Sequence, residues 1–453
     1  MSNWVVAKFG GTSMATTESM KQCAKVVELR GANIVLVSAT AGTTNLLVEL
    51  TECAKCGDFD NATKILAEIS ERHTGMMTDI GAPDEQILEL RNLLKELHTL
   101  VKGCTLIKAC SPQASDAILS IGEMLSSTIF AVICEQTFSR SVYWLNARDF
   151  MKTDSQHGKA TPDIDAIHSA CKTLFVEHQE LYISQGFMGC SPEGVTTTLG
   201  RGGSDYSAAL VAEGIRAYEL QIWTDVPGMA SSDPRVCSNA KSISAISIKE
   251  ASEMATFGAK ILHPSSLMPA VRHSIPVFVG STFQPELPGT TITPEVTERP
   301  VVRAVTSRSN QWLVVIRNPD MLTASGFLEK IFAVFEHYDI SVDAITTSEV
   351  SIAVTIDASE YPDGDFGDEF LAALQALGTV RIEKDMALVA IVGNHLHCTP
   401  GIGSRIFDAI KDINVRMVTQ GASTHNFCLI VADSDVISAV QSLHQKLIID
   451  AIE

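Results

Sequence analysis

Two stretches of this chain set glycines beside a lysine, an arginine and a carboxylate, a combination suited to holding anionic groups. The longer runs from Gln185 to Leu210, QGFMGCSPEGVTTTLGRGGSDYSAAL. Its first part predicts a β-hairpin, with Ser191 to Gly194 as the turn and Val195 to Thr198 as the returning strand. Leu199 to Asp205 then carries almost no side-chain bulk, and an alanine-rich helix follows with Ser204 or Asp205 as its expected N-cap. Glycines before a helix N-terminus let unpaired N–H groups approach an anion. Arg201 adds a planar fork for a carboxylate or phosphate. Asp205 stands where a carboxylate orients a lysine or approaches a bound metal. Taken alone, the stretch fits a glycine-rich turn between strand and helix equally well.

The shorter stretch is Lys8-Phe9-Gly10-Gly11-Thr12-Ser13, which breaks a strand, Val5 to Phe9, ahead of a helix from about Thr17 to Leu29. It repeats the strand–glycine–helix plan of an anion site, now with a lysine at the strand end. A dinucleotide loop would need G-x-G-x-x-G here and a P-loop G-x-x-x-x-G-K-[ST]; neither is present. Phosphate bound here would need another architecture. A further carboxylate, Glu123, interrupts an apolar helix predicted from Ser115 to Glu135, and Gly122 beside it predicts close packing.

The elements that must position these groups alternate strand and helix over roughly the first 280 residues, which predicts an α/β fold with a mostly parallel sheet covered by helices. Residues 58 to 102 read as a solvated helical pair without chemistry. Pro285, Pro288, Pro294 and Pro300 mark a boundary. Beyond it the pattern changes to βαββαβ and repeats: Asp339-Ile340-Ser341-Val342 answers Asp412-Ile413-Asn414-Val415. Duplicated ferredoxin-like modules of this kind predict a regulatory part.

Composition limits the partners. The formal charge is −19 for 453 residues, which argues against nucleic acid or an anionic membrane as the main partner. No apolar run is read as approaching the ~18–20 residues of a membrane span, and the opening MSNWVVAKFGG lacks the pattern of a signal peptide. Eleven scattered cysteines read as reduced thiols of a cytoplasmic protein. Cys53 and Cys56 have CxxC spacing but lack a second ligand pair, so no protein metal site is expected.

KFGGTS at 8–13, TTLGRGGSDYSAA at 197–209, WTDVPG at 223–228, DPRV at 233–236 and EMATFGAKILHP at 253–264 together resemble the aspartokinases. These belong to the amino acid kinase superfamily and carry tandem C-terminal ACT modules. The wording is nearest the monofunctional, lysine-sensitive members; the homoserine dehydrogenase half of the bifunctional relatives does not follow Glu453. The resemblance implies a kinase domain over 1–284, a linker over 285–308 and ACT modules over 309–385 and 386–453. It implies transfer of the ATP γ-phosphoryl group to the side-chain carboxylate of L-aspartate, with Mg2+ held mainly by the nucleotide. Lys8 would stabilise the transferring phosphoryl group, oriented by Asp205, above the backbone cradle of Gly10, Gly11, Thr12 and Ser13. Arg201 would bind the substrate α-carboxylate and Glu123 its ammonium, with Thr44 and Ser204 adding hydrogen bonds. Thr224, Asp225, Arg235 and Lys260 would line the nucleotide side; Ala230 stands where relatives carry a tyrosine.

In the first ACT module, Met321, Phe327, Leu328, Ser341, Val342, Asp343, Thr347, Ser348 and Glu349 resemble the lysine-effector site, with Ala324 replacing a serine. Asp343 and Glu349 are expected as an acidic pair for the effector's excess positive charge. A homodimer, or a dimer of dimers, through the ACT modules is the expected assembly. The alternatives are a kinase for glutamate or N-acetylglutamate, or a non-catalytic amino-acid sensor.

Overall fold

The structure, a computed structural model, describes residues 3–176, 178–258, 264–322, 325–358 and 366–451. They divide between two compact units, one drawn from 1–229, 243–248 and 261–295, the other from 230–242, 249–260 and 296–453.

The first unit opens with β1 (Val5–Phe9), α1 (Thr17–Arg30), β2 (Ile34–Val37) and the helices α2 (Thr43–Cys56), α3 (Phe59–Asp79), α4 (Asp84–Ile107) and α5 (Pro112–Thr137). After β3 (Val142–Trp144), α6 (Ile164–Leu174) and β4 (Leu181–Gln185) comes the hairpin β5 (Met188–Cys190) and β6 (Thr196–Thr198), paired antiparallel as expected. Next are α7 (Gly203–Gly214), β7 (Glu219–Thr224) and β8 (Ala245–Ser247). α8 (Ile248–Thr256) counts with the second unit from Lys249 onward, and α9 (Met268–Arg272), β9 (Val277–Ser281) and β10 (Thr290–Thr293) complete the first. The eight-stranded sheet has the order β3-β4-β2-β1-β7-β9-β10-β8, parallel except between β9 and β10. Fully buried β2, IVLV, is the continuous apolar run that a sheet covered on both faces requires. The helical pair expected over 58–102 is α3 and α4, divided by Gly81 at φ 61°.

Two expectations are corrected. α5, with 26 residues, is long and apolar enough to cross a membrane by length and composition, although the sequence reading saw no such run. Its apolar face is core: Ile118, Leu125, Ile129, Phe130 and Cys134 are inaccessible. The stretch 285–308, read as a linker, holds β10 in the first sheet and the start of β11 (Val302–Arg317) in the second unit. Prolines mark its turns, but Thr290 to Thr293 still finds a place in the sheet, between β9 and the edge strand β8.

In the second unit, β11 is followed by α10 (Phe327–His337), β12 (Ala344–Thr347), β13 (Ser351–Asp357), α11 (Asp368–Gln375) and β14 (Thr379–Gly393). Then come α12 (Ile402–Ala409), β15 (Met417–Gln420), β16 (Asn426–Ala432) and α13 (Val436–His444). The sheet order is β12-β13-β11-β14-β16-β15. β11 and β14 pair along their whole length, and each is kinked near the middle, at Asn310 (φ 57°) and Asp385 (φ 56°). The C-terminal half of β11 serves the first βαββαβ module. Its N-terminal half, residues 302–308, pairs with 388–393 and supplies the fourth strand of the second module. The repeat seen in the sequence is therefore two modules sharing both long strands.

Candidate active site

The first unit's candidate site residues gather at the carboxyl ends of its parallel strands, where open α/β sheets leave a crevice. A cavity of about 770 Å³ there is lined by Lys8, Gly11, Thr44, Glu123, Arg201, Ser204 and Asp205, among others. β1 lies between β2 and β7, and the Gly10 amide donates to Trp223 O at 3.2 Å where the chain leaves the sheet. Among the described residues the amides of Gly11, Thr12 and Ser13 donate to no backbone acceptor, which leaves them for an anion. The Ser13 hydroxyl is buried and bonded to Thr282 Oγ1 at 2.8 Å, so it is not free for that task.

The helix behind the second glycine stretch begins earlier than expected. Gly202, at φ 72°, is the N-cap of α7, and Gly200, at φ 75°, precedes it. Two left-handed glycines turn the chain into the helix before Ser204 or Asp205 is reached, so neither caps it. Both side chains then lie in the first turn, and the Asp205 carboxylate is 2.7 Å from Lys8 Nζ. Gly186 allows this approach, because a Cβ there would sit 2.7 Å from Ser204 Cβ.

Glu123 forms the other wall. It is 3% exposed, and its Oε1 accepts the Ala39 amide at 3.2 Å while the buried Oε2 has no hydrogen-bond partner. Burial pushes its carboxyl up to about 8, against the opposing pull of the Ala39 amide and the Lys8 charge. The close packing expected at Gly122 is present: an added Cβ would lie 2.9 Å from Ala39 Cβ and 3.0 Å from Leu47 Cδ1. Arg201 and Thr44 are exposed at the cavity wall.

Three further residues brace this wall, and the sequence reading passed over them. His73 donates from Nδ1 to Ile69 O at 2.7 Å, so its bare Nε2 accepts from the Thr40 hydroxyl at 3.0 Å. Burial lowers the imidazole to about 4, keeping it neutral in this role. Arg72 donates to Ala41 O at 2.9 Å. Thus α3, read as a solvated helix without chemistry, holds the 38–44 loop. The third is Asp116 on α5, a buried carboxylate bound by His157, Gly158 and Thr198. Its one sequence signal was a lone acid seven residues before Glu123 in an apolar helix.

On the expected nucleotide side, Thr224 ends β7 and Asp225 follows it, with the Thr224 hydroxyl donating to Asp225 Oδ1 at 3.0 Å. Arg235 belongs to the second unit, where it grips Asp233 through Nε and Nη2. Ala230, bridged to Ser242, belongs there too. Lys260 and Ala324 lie outside the described residues.

The expected effector residues fall into two groups. Met321, Phe327 and Leu328 adjoin the start of α10, whose N-cap is Gly326, and Asn318 N bonds Val350 O in the turn that holds Ser348 and Glu349. Thr347 ends β12 beside that turn. Ser341, Val342 and Asp343 follow the other end of α10, roughly 16 Å away along its 11 residues. Asp343 and Glu349 thus stand at opposite ends of β12 and are not a pair within one chain. An extended strand separates what looked adjacent in sequence. Asp343 is instead ion-paired with Arg308.

The amino acid kinase family model matches residues 3–281, and an ACT domain model matches 389–447. The chain therefore belongs to the amino acid kinase family, and within it to the aspartokinases. It is 42% identical to the lysine-sensitive aspartokinase 3 of Escherichia coli K12, over 99% of this chain and 100% of that protein. It is similar to the crystal structure of E. coli aspartokinase III with aspartate and ADP in the R-state, at a TM-score of 0.85 and 40% identity, covering 98% of this chain and 100% of that one. Likeness to the T-state complex with lysine and aspartate is the same in identity, with a TM-score of 0.86 and coverages of 99% and 100%.

Proposed function

We infer that this chain is an aspartate kinase that phosphorylates the side-chain carboxylate of L-aspartate with ATP, giving 4-phospho-L-aspartate, the first step toward lysine, threonine and methionine, under inhibition by lysine. One observation carries the substrate assignment: a single cavity sets the unpartnered buried Oε2 of Glu123, made for a cation, across from the Lys8–Asp205 pair and the glycine amides, made for phosphate. The substrate ammonium meets Glu123 and its α-carboxylate meets Arg201, with Thr44 and Ser204 beside them. A side-chain oxygen of aspartate then attacks the γ-phosphorus, and the bond to the β-phosphate oxygen breaks to release ADP. The nucleophile is already ionised, so the reaction needs positioning and charge neutralisation rather than a base.

Lys8 follows the charge onto the transferring group, and the amides of Gly11 to Ser13, with Gly10 setting the turn, cradle the phosphates. Thr224, Asp225, Arg235 and Lys260 are assigned to the nucleotide. Mg2+ fits as a companion of ATP held by phosphate oxygens and water, because Asp205, an acid lining the cavity beside the cradle, is committed to Lys8. It would neutralise phosphate charge there.

The kinase part is assigned to 1–284 and the two modules to 309–385 and 386–453, with residues 302–308 completing the second module. A homodimer or dimer of dimers through the modules is supported by the divided effector residues, which a second copy can unite, and by exposed Leu328, Ile345, Phe407 and Ile437. Eleven free thiols suit the reducing cytoplasm. ADP release with aspartate, glutamate and N-acetylglutamate as separate acceptors tests the reading. Turnover with aspartate alone is expected, and turnover with only another acid would overturn it.

A further inference from the structure

Asp116 is 1% exposed, and a carboxylate so deeply buried is costly unless it is hydrogen-bonded. Every direction around it is filled. Oδ1 accepts the Thr198 hydroxyl at 2.6 Å and the Gly158 amide at 3.1 Å. Oδ2 accepts the Gly158 amide at 3.0 Å, the Thr198 amide at 3.2 Å and His157 Nδ1 at 2.9 Å. Nothing is left over for a ligand, although the residue borders the substrate cavity.

The segments it holds identify its work. Thr198 is the last residue of β6, directly before Leu199-Gly200-Arg201. Gly158 closes over the same corner: an added Cβ on Gly200 would lie 3.3 Å from Gly158 O, and the Ala160 amide donates to Thr198 O at 2.8 Å. Asp116 therefore fixes both strands of chain that frame Arg201. It sits on α5 seven residues before Glu123, which puts both on one helix face two turns, or roughly 11 Å, apart. One rigid, buried helix thus sets the origin of two supports, the ammonium anchor directly and the carboxylate clamp through Asp116.

We propose that Asp116 is a positioning residue that fixes Arg201 relative to Glu123, and that this fixed spacing helps the enzyme reject an amino acid one methylene longer than aspartate. The proposal rests on the assignment of Arg201 and Glu123 to the two ends of the substrate's α-carbon. If that centre is held rigidly, only a side chain of aspartate's length presents its carboxylate correctly to the phosphoryl group. If the clamp drifts, glutamate regains ground and aspartate loses it.

Asp116→Asn tests this, since it keeps the shape while turning an NH2 group toward N–H donors. Aspartate KM should rise about tenfold or more, the size of a lost charge-assisted hydrogen bond. ATP KM should stay level, and the aspartate-to-glutamate ratio of kcat/KM should fall. Thr198→Val, which removes only the 2.6 Å hydroxyl contact, should move the same parameters in the same direction, and Thr198→Ser should bring them back toward wild type. Arg201→Ala is measured alongside. An unchanged aspartate KM there sinks the clamp assignment itself. A raised KM there, with wild-type aspartate KM and selectivity in both Asp116→Asn and Thr198→Val, overturns the positioning role alone. Equal loss of aspartate and ATP affinity in Thr198→Val would also overturn it, because a general structural defect moves both.

Discussion

The carboxylate of Asp205, in the first turn of α7, lies 2.7 Å from the ammonium of Lys8 near the end of β1. The contact ties the two glycine-rich stretches together and aims the lysine into the cavity between them. Such a fixed charge acts on the group that gains charge during transfer. Lys8→Ala should therefore lower kcat by about 10²–10³-fold, the range for losing one preorganised donor, with little change in aspartate KM. Asp205→Ala should lose less in the same direction. Steady-state kinetics with both substrates varied checks this; near-normal turnover in Lys8→Ala would place phosphoryl transfer elsewhere.

If Glu123 meets the substrate ammonium as proposed, aspartate binding should depend on pH. Burial raises its carboxyl to about 8 in the free protein, while a bound ammonium favours the ionised form. Binding below that value must release a proton, so aspartate affinity should rise with pH, by up to about tenfold per unit, and level off above about 8. The same shift destabilises the ligand-free fold as pH rises from about 4.5 toward 8, because the folded state holds the proton more tightly than the unfolded chain. Glu123→Gln should raise aspartate KM and flatten its pH profile. Isothermal titration in buffers of different ionisation enthalpy measures the proton directly; zero release at pH 7 would contradict the assignment.

Arg201 should act in the ground state as well as the transition state, since a carboxylate clamp is formed before any bond breaks. Arg201→Ala is expected to raise aspartate KM about 10–100-fold, matching a lost charged hydrogen bond of roughly 1.5–3 kcal/mol, with a smaller fall in kcat. Arg201→Lys should recover only part, because an ammonium offers no planar fork.

The Arg308–Asp343 ion pair predicts two opposite effects on feedback. A lysine effector that uses Asp343 must displace the guanidinium. Asp343→Ala should relieve lysine inhibition while uninhibited turnover stays close to wild type. Arg308→Ala should lower the lysine concentration needed for half-inhibition by several-fold, in the range of an exposed ion pair. Separate titrations of lysine and threonine against activity decide this, and inhibition by threonine with lysine inert would refute the effector assignment.

Much of the site was legible because glycine patterns and helix starts are local. The strand at Val5 to Phe9, the hairpin before Thr198, the packing at Gly122 and the duplicated modules all follow from residues near in sequence. The errors share a physical origin as well. The α7 cap was misplaced because Gly200 and Gly202 reach left-handed conformations that the cap preferences of serine and aspartate do not reveal. Asp116, Arg72 and His73 act across separations of 31 to 82 residues, which no periodicity encodes. The strand at 302–308 was missed because its partner, 388–393, lies a whole module away. Asp343 and Glu349 looked paired because sequence distance ignores the length of an extended strand.

The two units are interleaved in sequence, and this bears on how such an enzyme can be taken apart. Residues 230–242 and 249–258 precede residue 284, yet they are built into the second unit. Ser231 bonds the buried His444 at 2.9 Å, Cys237 packs in the second module's core, and the inaccessible Glu250 accepts from Arg303 and Asn394. Cutting the chain after residue 284 would strip a buried carboxylate of its cation and a core cysteine of its cover. The catalytic and regulatory parts are therefore no exchangeable cassettes: a graft that retunes feedback must carry the DPRV and EMATFG segments along with the modules, and with them Arg235, one of the residues assigned to ATP.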